Sequence, residues 1–233
     1  MSRFIHYITA AFMAFCLAAP AIAADVAQPP YEQSVTEQYN ACIQLARTQP
    51  ETTFKTARAW YQETKAIAAQ HCMALSLFQM QDYRGAANEL SAILKSITPA
   101  QGRLWLDMKS QAARAFLLAG SYEVAESHLN EALHWASDEG LDQDMVPLLI
   151  QRSRIYALHN ENLRAIHDLD HAFSIRADKA VLLERARTFL KMGKFNSAKE
   201  DIDAVLKQEP LNEEASILLG KLEHRQKALA QKK

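Results

Sequence analysis

The stretch Ala186–Pro210, ARTFLKMGKFNSAKEDIDAVLKQEP, spells out two antiparallel helices and the turn between them. Gly193 tolerates the positive φ that ends a helix and lets the chain reverse over few residues. Ala186 and Ala198 have almost no side chain, so the two helices can approach closely, while Phe189 and Phe195 fill the space beside them. Pro210 lacks an N–H and stops the second helix. One such hairpin cannot bury both of its apolar stripes, so the unit calls for neighbours.

The neighbours appear when the same offsets are slid back along the chain. They fall on Ser153, Tyr156, Asn160, Asn162, Ala165, Leu169, Ala172 and Ala177; then on Ala113, Phe116, Gly120, Tyr122, Ala125, Leu129, Ala132 and Ser137; and first on Ala74, Leu77, Gln81, Tyr83, Ala86, Leu90, Ile93 and Thr98. The steps Ala86–Ala125, Ala125–Ala165 and Ala165–Ala198 are 39, 40 and 33 residues, so the first two carry insertions, placed around PAQGR and SDEGLDQD. After Pro210, Asn212, Glu213 and Glu214 make a helix start, and SILLGKLEHRQKALAQ supplies one last helix that reads as a polar cap.

This pattern resembles the tetratricopeptide repeat, a helix-turn-helix unit of 34 residues. The resemblance covers about residues 67–225 and is strongest in the last full copy. It implies an all-α, right-handed solenoid of stacked antiparallel helix pairs. The expected layout is four repeats within 67–211, at about 67–99, 106–139, 146–178 and 179–211, followed by a capping helix over 212–230. From Val35, VTEQYNACIQLARTQ and ETTFKTARAWYQETKAI, broken at Pro50, read as a further helix pair over 35–66.

Six Gly, seven Pro and no convincing alternating strand agree with a helical protein. The net charge of −1 gives no global reason to expect nucleic acid or an anionic membrane as partner. Residues 1–23 read as a signal peptide: Arg3, an apolar run shorter than a membrane span, and Ala21-Ile22-Ala23 ahead of the cleavage point after Ala23. The expected location is periplasmic or secreted, with membrane contact only through that leader. Removing Arg3 leaves 26 − 1 = 25 basic against 27 acidic residues, a net −2. Residues 24–34, with Pro29 and Pro30, read as a disordered lead-in. In an oxidising compartment, the two remaining cysteines, Cys42 and Cys72, suggest a disulfide, since each lies towards the middle of the first helix of its hairpin.

Superimposing the copies exposes a functional candidate. The residue after the first small position is Arg114, Arg154 and Arg187, with Lys221 in the cap and Leu75 breaking the series. Helical offsets of three to four put Leu118, Leu158 and Leu190 beside them. The resemblance implies that this face of the first helix lines a concave groove, which would then carry a basic ladder among aliphatic residues. Such a groove suits an extended acidic peptide, because Arg grips a carboxylate with a two-pronged fork. Internal pairing with Asp107, Glu184 or other acids is the competing expectation. His167 and His171, four apart on a second helix, are a weaker candidate for a metal, and His71 for a polar ligand.

No phosphate-binding glycine loop, nucleophile elbow, H-E-x-x-H or C-x-x-C occurs in the sequence. The expected function is a non-catalytic, protein-binding adaptor or assembly scaffold of the cell envelope, with no cofactor. A small metal-dependent envelope factor centred on His167 and His171, or a subunit associating with its own copies, is the alternative.

Overall fold

The computed structural model describes residues 30–231. They form eleven α-helices with no strand among the described residues. In order, these are α1 (Pro30–Thr48), α2 (Pro50–Thr64), α3 (Ile67–Gln79), α4 (Tyr83–Leu94), α5 (Arg103–Leu118), α6 (Tyr122–Asp138), α7 (Asp142–Leu158), α8 (Asn162–Ile175), α9 (Lys179–Lys191), α10 (Phe195–Gln208) and α11 (Glu213–Ala230). Consecutive helices pack as antiparallel hairpins, and each odd-numbered helix also touches a neighbouring odd-numbered one. The architecture is an all-α solenoid.

The small positions build the stack. Ala86, Ala113, Ala125, Ala165, Ala186 and Ala198 are completely buried, as are Ile93, Leu129, Leu169 and Ile202 on the second helices. The same helix ending recurs at every hairpin turn of the four repeats. Gln81, Gly120, Asn160 and Gly193 all have left-handed φ, between 61° and 78°. The next residue's N–H then reaches back to the carbonyl of Leu77, Phe116, Tyr156 or Phe189, at 2.8–2.9 Å. This is the six-to-one bond of a Schellman ending, and it satisfies a carbonyl the helix leaves open.

The core divides into stretches of one continuous seam. A central cluster holds Leu129, Val146, Leu149 and Leu169. An N-terminal one, around Leu90, Ile93 and Trp105, joins it through Phe116 and Trp135, and a C-terminal one, around Leu183, Ile202 and Leu222, joins it through Phe173.

Three boundaries differ from the sequence expectation. Helix α1 begins at Pro30, so 30–34 are helical and belong to no disordered lead-in. Proline is at home there, since the first helical position has no intrahelical use for its N–H. Residues 1–29, including the leader and its cleavage point, lie outside the described residues. The other two differences concern the insertions. The first enters mainly as the connection from α4 to α5, where Pro99–Gln101 form a 3-10 turn and α5 starts at Arg103, ahead of the expected 106. The second lengthens helices, with α6 running to Asp138 and α7 starting at Asp142, ahead of the expected 146. Pro147 therefore sits inside α7, close to where a helix of standard length would begin. Both insertions lie on one edge of the stack, where Arg103 donates a two-pronged grip to Asp144 at 2.7 and 2.9 Å. No helix is long and apolar enough to cross a membrane among the described residues.

Candidate functional site

The first helices α1, α3, α5, α7, α9 and α11 line three successive recesses. The first, about 310 Å³, lies between α1, α3 and α5 and is walled by Ile43, Arg47, Leu75, Phe78, Gln111 and Arg114. The second, about 450 Å³, runs from α5 to α9 over Leu118, Arg154, Leu158, Glu184, Arg187 and Lys191. The third, about 630 Å³, continues to α11 and includes Arg187, Lys191, Lys221, His224 and Arg225. The second and third share Arg187 and Lys191, and the first gives way to the second along α5, from Arg114 to Leu117 and Leu118. Together the three recesses make up a furrow of the first helices, with shared wall residues only between the second and third.

All four cations of the ladder line this furrow, but they are not alike. Arg154 donates through Nε to Glu184 at 2.6 Å. Arg187 pairs with the other oxygen of Glu184 at 2.7 Å and also meets Glu214 on α11. Glu184 itself is only 7% exposed. A relay Arg154–Glu184–Arg187–Glu214 thus crosses α7, α9 and α11 along the floor. Burial works against the Arg187 charge, yet the two carboxylates outweigh it and raise its pKa. Arg114 has no acidic partner among the described residues, and its guanidinium lies 5.0 Å from the centre of the Phe78 ring. Lys221 is exposed and likewise unpaired among the described residues.

The leucines also separate. Leu118 and Leu158 are 47% and 51% exposed, although large and apolar, and both open into the middle recess. Leu190 is 5% exposed and belongs to the C-terminal core. It lies three residues after Arg187, whereas Leu118 and Leu158 lie four after their arginines. The place equivalent to theirs is taken by Lys191, whose Nζ donates to the carbonyl of Ala157 at 2.9 Å. Leu190 still forms part of the wall of the third recess, but a helical offset of three turns most of its side chain under the stack.

Packing of α1 on α3 puts Cys42 and Cys72 side by side, both buried, with Cα atoms 6.1 Å apart and the sulfurs at bonding distance. His71, next to Cys72, is held on both sides: Tyr39 Oη lies 2.5 Å from Nδ1 and Gln111 Oε1 2.8 Å from Nε2. Burial lowers its pKa against the opposing pulls of Gln111 and Asp107, so the ring is neutral. In that state Tyr39 donates to Nδ1 while Nε2 donates to Gln111. His71 therefore satisfies itself inside the protein. His167 and His171 are exposed on α8, and Asp168 between them is turned inward to Arg152. Among the described residues, no three His, Cys, Asp or Glu side chains gather as a metal site would require.

A second series of cations went unread in the sequence. Arg152 and Arg185, each one residue before the small position, fork onto the buried Asp168 and Asp201 of their own hairpin. Arg185 also lies 3.8 Å from the centre of the Phe173 ring. The signal was an Arg and an Asp sixteen apart, repeated after 33 residues. These arginines brace the hairpin interior, whereas their neighbours Arg154 and Arg187 face the furrow.

Residues 183–231 match the family model described as tetratricopeptide repeat. A curated relative, DnaJ homolog subfamily C member 3 of Gallus gallus, is 30% identical over 109 residues, 47% of this chain and 20% of that protein. The chain thus spans about a fifth of the relative's length. Among solved structures, the nearly identical TPR-like repeats of a putative kinesin light chain from Podosopora anserina superpose with a TM-score of 0.67 at 16% identity, covering 78% of this chain and all of that one. A thermophilic TPR protein of Thermus thermophilus gives 0.58 at 19%, covering 81% and 98%.

Proposed function

This chain is a tetratricopeptide-repeat protein, and on that premise we propose that it is an exported, non-catalytic adaptor or assembly scaffold of the cell envelope. It binds an extended, acidic segment of a protein partner in the furrow of its first helices. The observation that carries this reading is the furrow itself: its three recesses succeed one another from α1 to α11, are rimmed by cations, and expose Leu118 and Leu158 in the middle. Exposed large aliphatic residues beside unpaired guanidinium and ammonium groups suit a ligand with both apolar and carboxylate side chains. Export is supported by the N-terminal leader pattern and by the reach of Cys42 to Cys72, which an oxidising compartment would close into a disulfide.

The test is a crosslinking pull-down from the native envelope, comparing the wild type with an Arg114→Ala, Lys221→Ala double variant and with Leu158→Ser. These positions are chosen because nothing buried depends on them. Arg154→Ala or Arg187→Ala would take one of its two cations from the buried Glu184 carboxylate and would confuse binding with folding. A partner captured by the wild type and lost by the variants, with helicity unchanged by circular dichroism, is the expected result. Identical capture by all three overturns the assignment of the furrow.

A further inference from the structure

The three recesses differ in charge balance, and that difference names the pattern of the ligand. The middle recess brings its own carboxylate: Glu184 already occupies Arg154 and Arg187. Among the described residues, the outer two have no Asp or Glu in their walls. The recess at the α1–α5 end holds Arg47 and Arg114. The recess at the α11 end holds Lys191, Lys221, His224 and Arg225 besides Arg187. Of these, Lys191 and Arg225 donate to the carbonyls of Ala157 and Leu190, near the ends of α7 and α9, so neither positive charge is neutralised by a carboxylate there.

Resting on the peptide-binding reading above, we infer that the partner segment is bipartite: an acidic group at each end and an aliphatic stretch between them. An acid placed over the centre would face Glu184 and find its arginines taken. An aliphatic residue there would cover Leu118 and Leu158. At either end, a carboxylate would meet cations that lack an acidic partner. Burial of the central leucines and charge pairing at the ends then act together, each end raising the effective concentration of the other.

The geometry also sets a length. From Arg114 on α5 to Lys221 on α11 there are three steps between neighbouring first helices, α5 to α7, α7 to α9 and α9 to α11. At roughly 8–10 Å per step, this is about 24–30 Å. An extended chain advances about 3.3 Å per residue, so the two acidic groups should stand about seven to nine residues apart.

The probe is a set of fluorescein-labelled synthetic peptides, each with two glutamates at either end and a spacer of alternating leucine and serine. Spacers of two and seven residues carry the same charge, and a seven-residue spacer of serine alone separates spacing from the added leucines when fluorescence anisotropy is read against the purified chain. The seven-residue spacer should bind about tenfold tighter than the two-residue one, the margin of one charge-assisted contact. Replacing its central leucine with glutamate should weaken it. Arg114→Ala and Lys221→Ala should each remove most of the spacing preference. Equal affinity for the two spacers, insensitivity to both substitutions, or no binding by any of the peptides overturns the bipartite pattern. The adaptor reading fails separately: it falls only if the native partner is captured equally by wild type, Leu158→Ser and the double variant.

Discussion

At the scale of single residues, the turn positions show how far a repeat can drift without losing its geometry. Gln81 and Asn160 hold the same left-handed backbone as Gly120 and Gly193. For a residue with a Cβ this costs roughly 1–2 kcal/mol, somewhat less for Asn. Gln81 is exposed and its side chain makes no hydrogen bond to any of the described residues. Gln81→Gly should therefore stabilise the chain by about 1 kcal/mol, net of glycine's greater freedom when unfolded, and Asn160→Gly by less; thermal melts of the two variants would rank them. A second residue-scale expectation concerns acid. Because burial depresses the His71 pKa in the folded state, unfolding takes up a proton. The stability from the neutral ring is fully present above the unfolded value of about 6.5 and is lost as the pH falls below it. Between pH 7.5 and 5.5 the wild type should lose more melting temperature than His71→Gln, and equal losses would refute the assignment. The sequence showed that positions 81 and 160 were turns, because the small and aromatic offsets on either side fixed the register. It did not show which arginines were spoken for. Arg152 and Arg154 differ by two residues, so they point to different sides of α7, and only the packed neighbours reveal that one meets Asp168 and the other Glu184.

Among the elements, α1 is the one whose attachment depends most on chemistry beyond simple packing. It rests on α2 and α3, with Tyr39 against His71 and Cys42 against Cys72. Closing the Cys42–Cys72 pair ties a loop of 30 residues, for which the chain-entropy model gives about 3–4 kcal/mol. A chain lacking residues 1–23, kept unreduced, should therefore show no free thiol when titrated in denaturant. Adding reductant, or substituting Cys42→Ala, should lower the melting temperature. Two titratable thiols in the unreduced protein would remove that brace. Helix pairs and their order were legible, since the 3.6-residue period and the turn residues repeat. Helix ends were not, because an insertion can enter as loop or as extra turns of helix with nearly the same composition. PAQGR and SDEGLDQD were legible as the places of the added residues, but not as loop or helix. In the folded chain Arg103 and Asp142 already begin helices, supported by neighbours that the local sequence does not display.

In the whole molecule, stability should be graded along the axis. The central cluster is backed by neighbours on both sides through Phe116, Trp135 and Phe173, whereas among the described residues α1 packs on α2 and α3, and α11 on α9 and α10, from one side. A stack held by nearest-neighbour contacts frays from its ends. Hydrogen exchange should find the slowest amides in α5 to α8 and the fastest in α1 and α11, and uniform protection along the chain would contradict the graded picture. The joined pair Arg103 and Asp144 carries a consequence for descent. The steps Ala86–Ala125 and Ala125–Ala165 are six and seven residues longer than Ala165–Ala198, and the surplus of one leans on the surplus of the other. A lineage that trimmed either would leave its neighbour overhanging. The two lengths are therefore expected to be inherited together, and any shuffling of repeats between relatives should move these hairpins as one block.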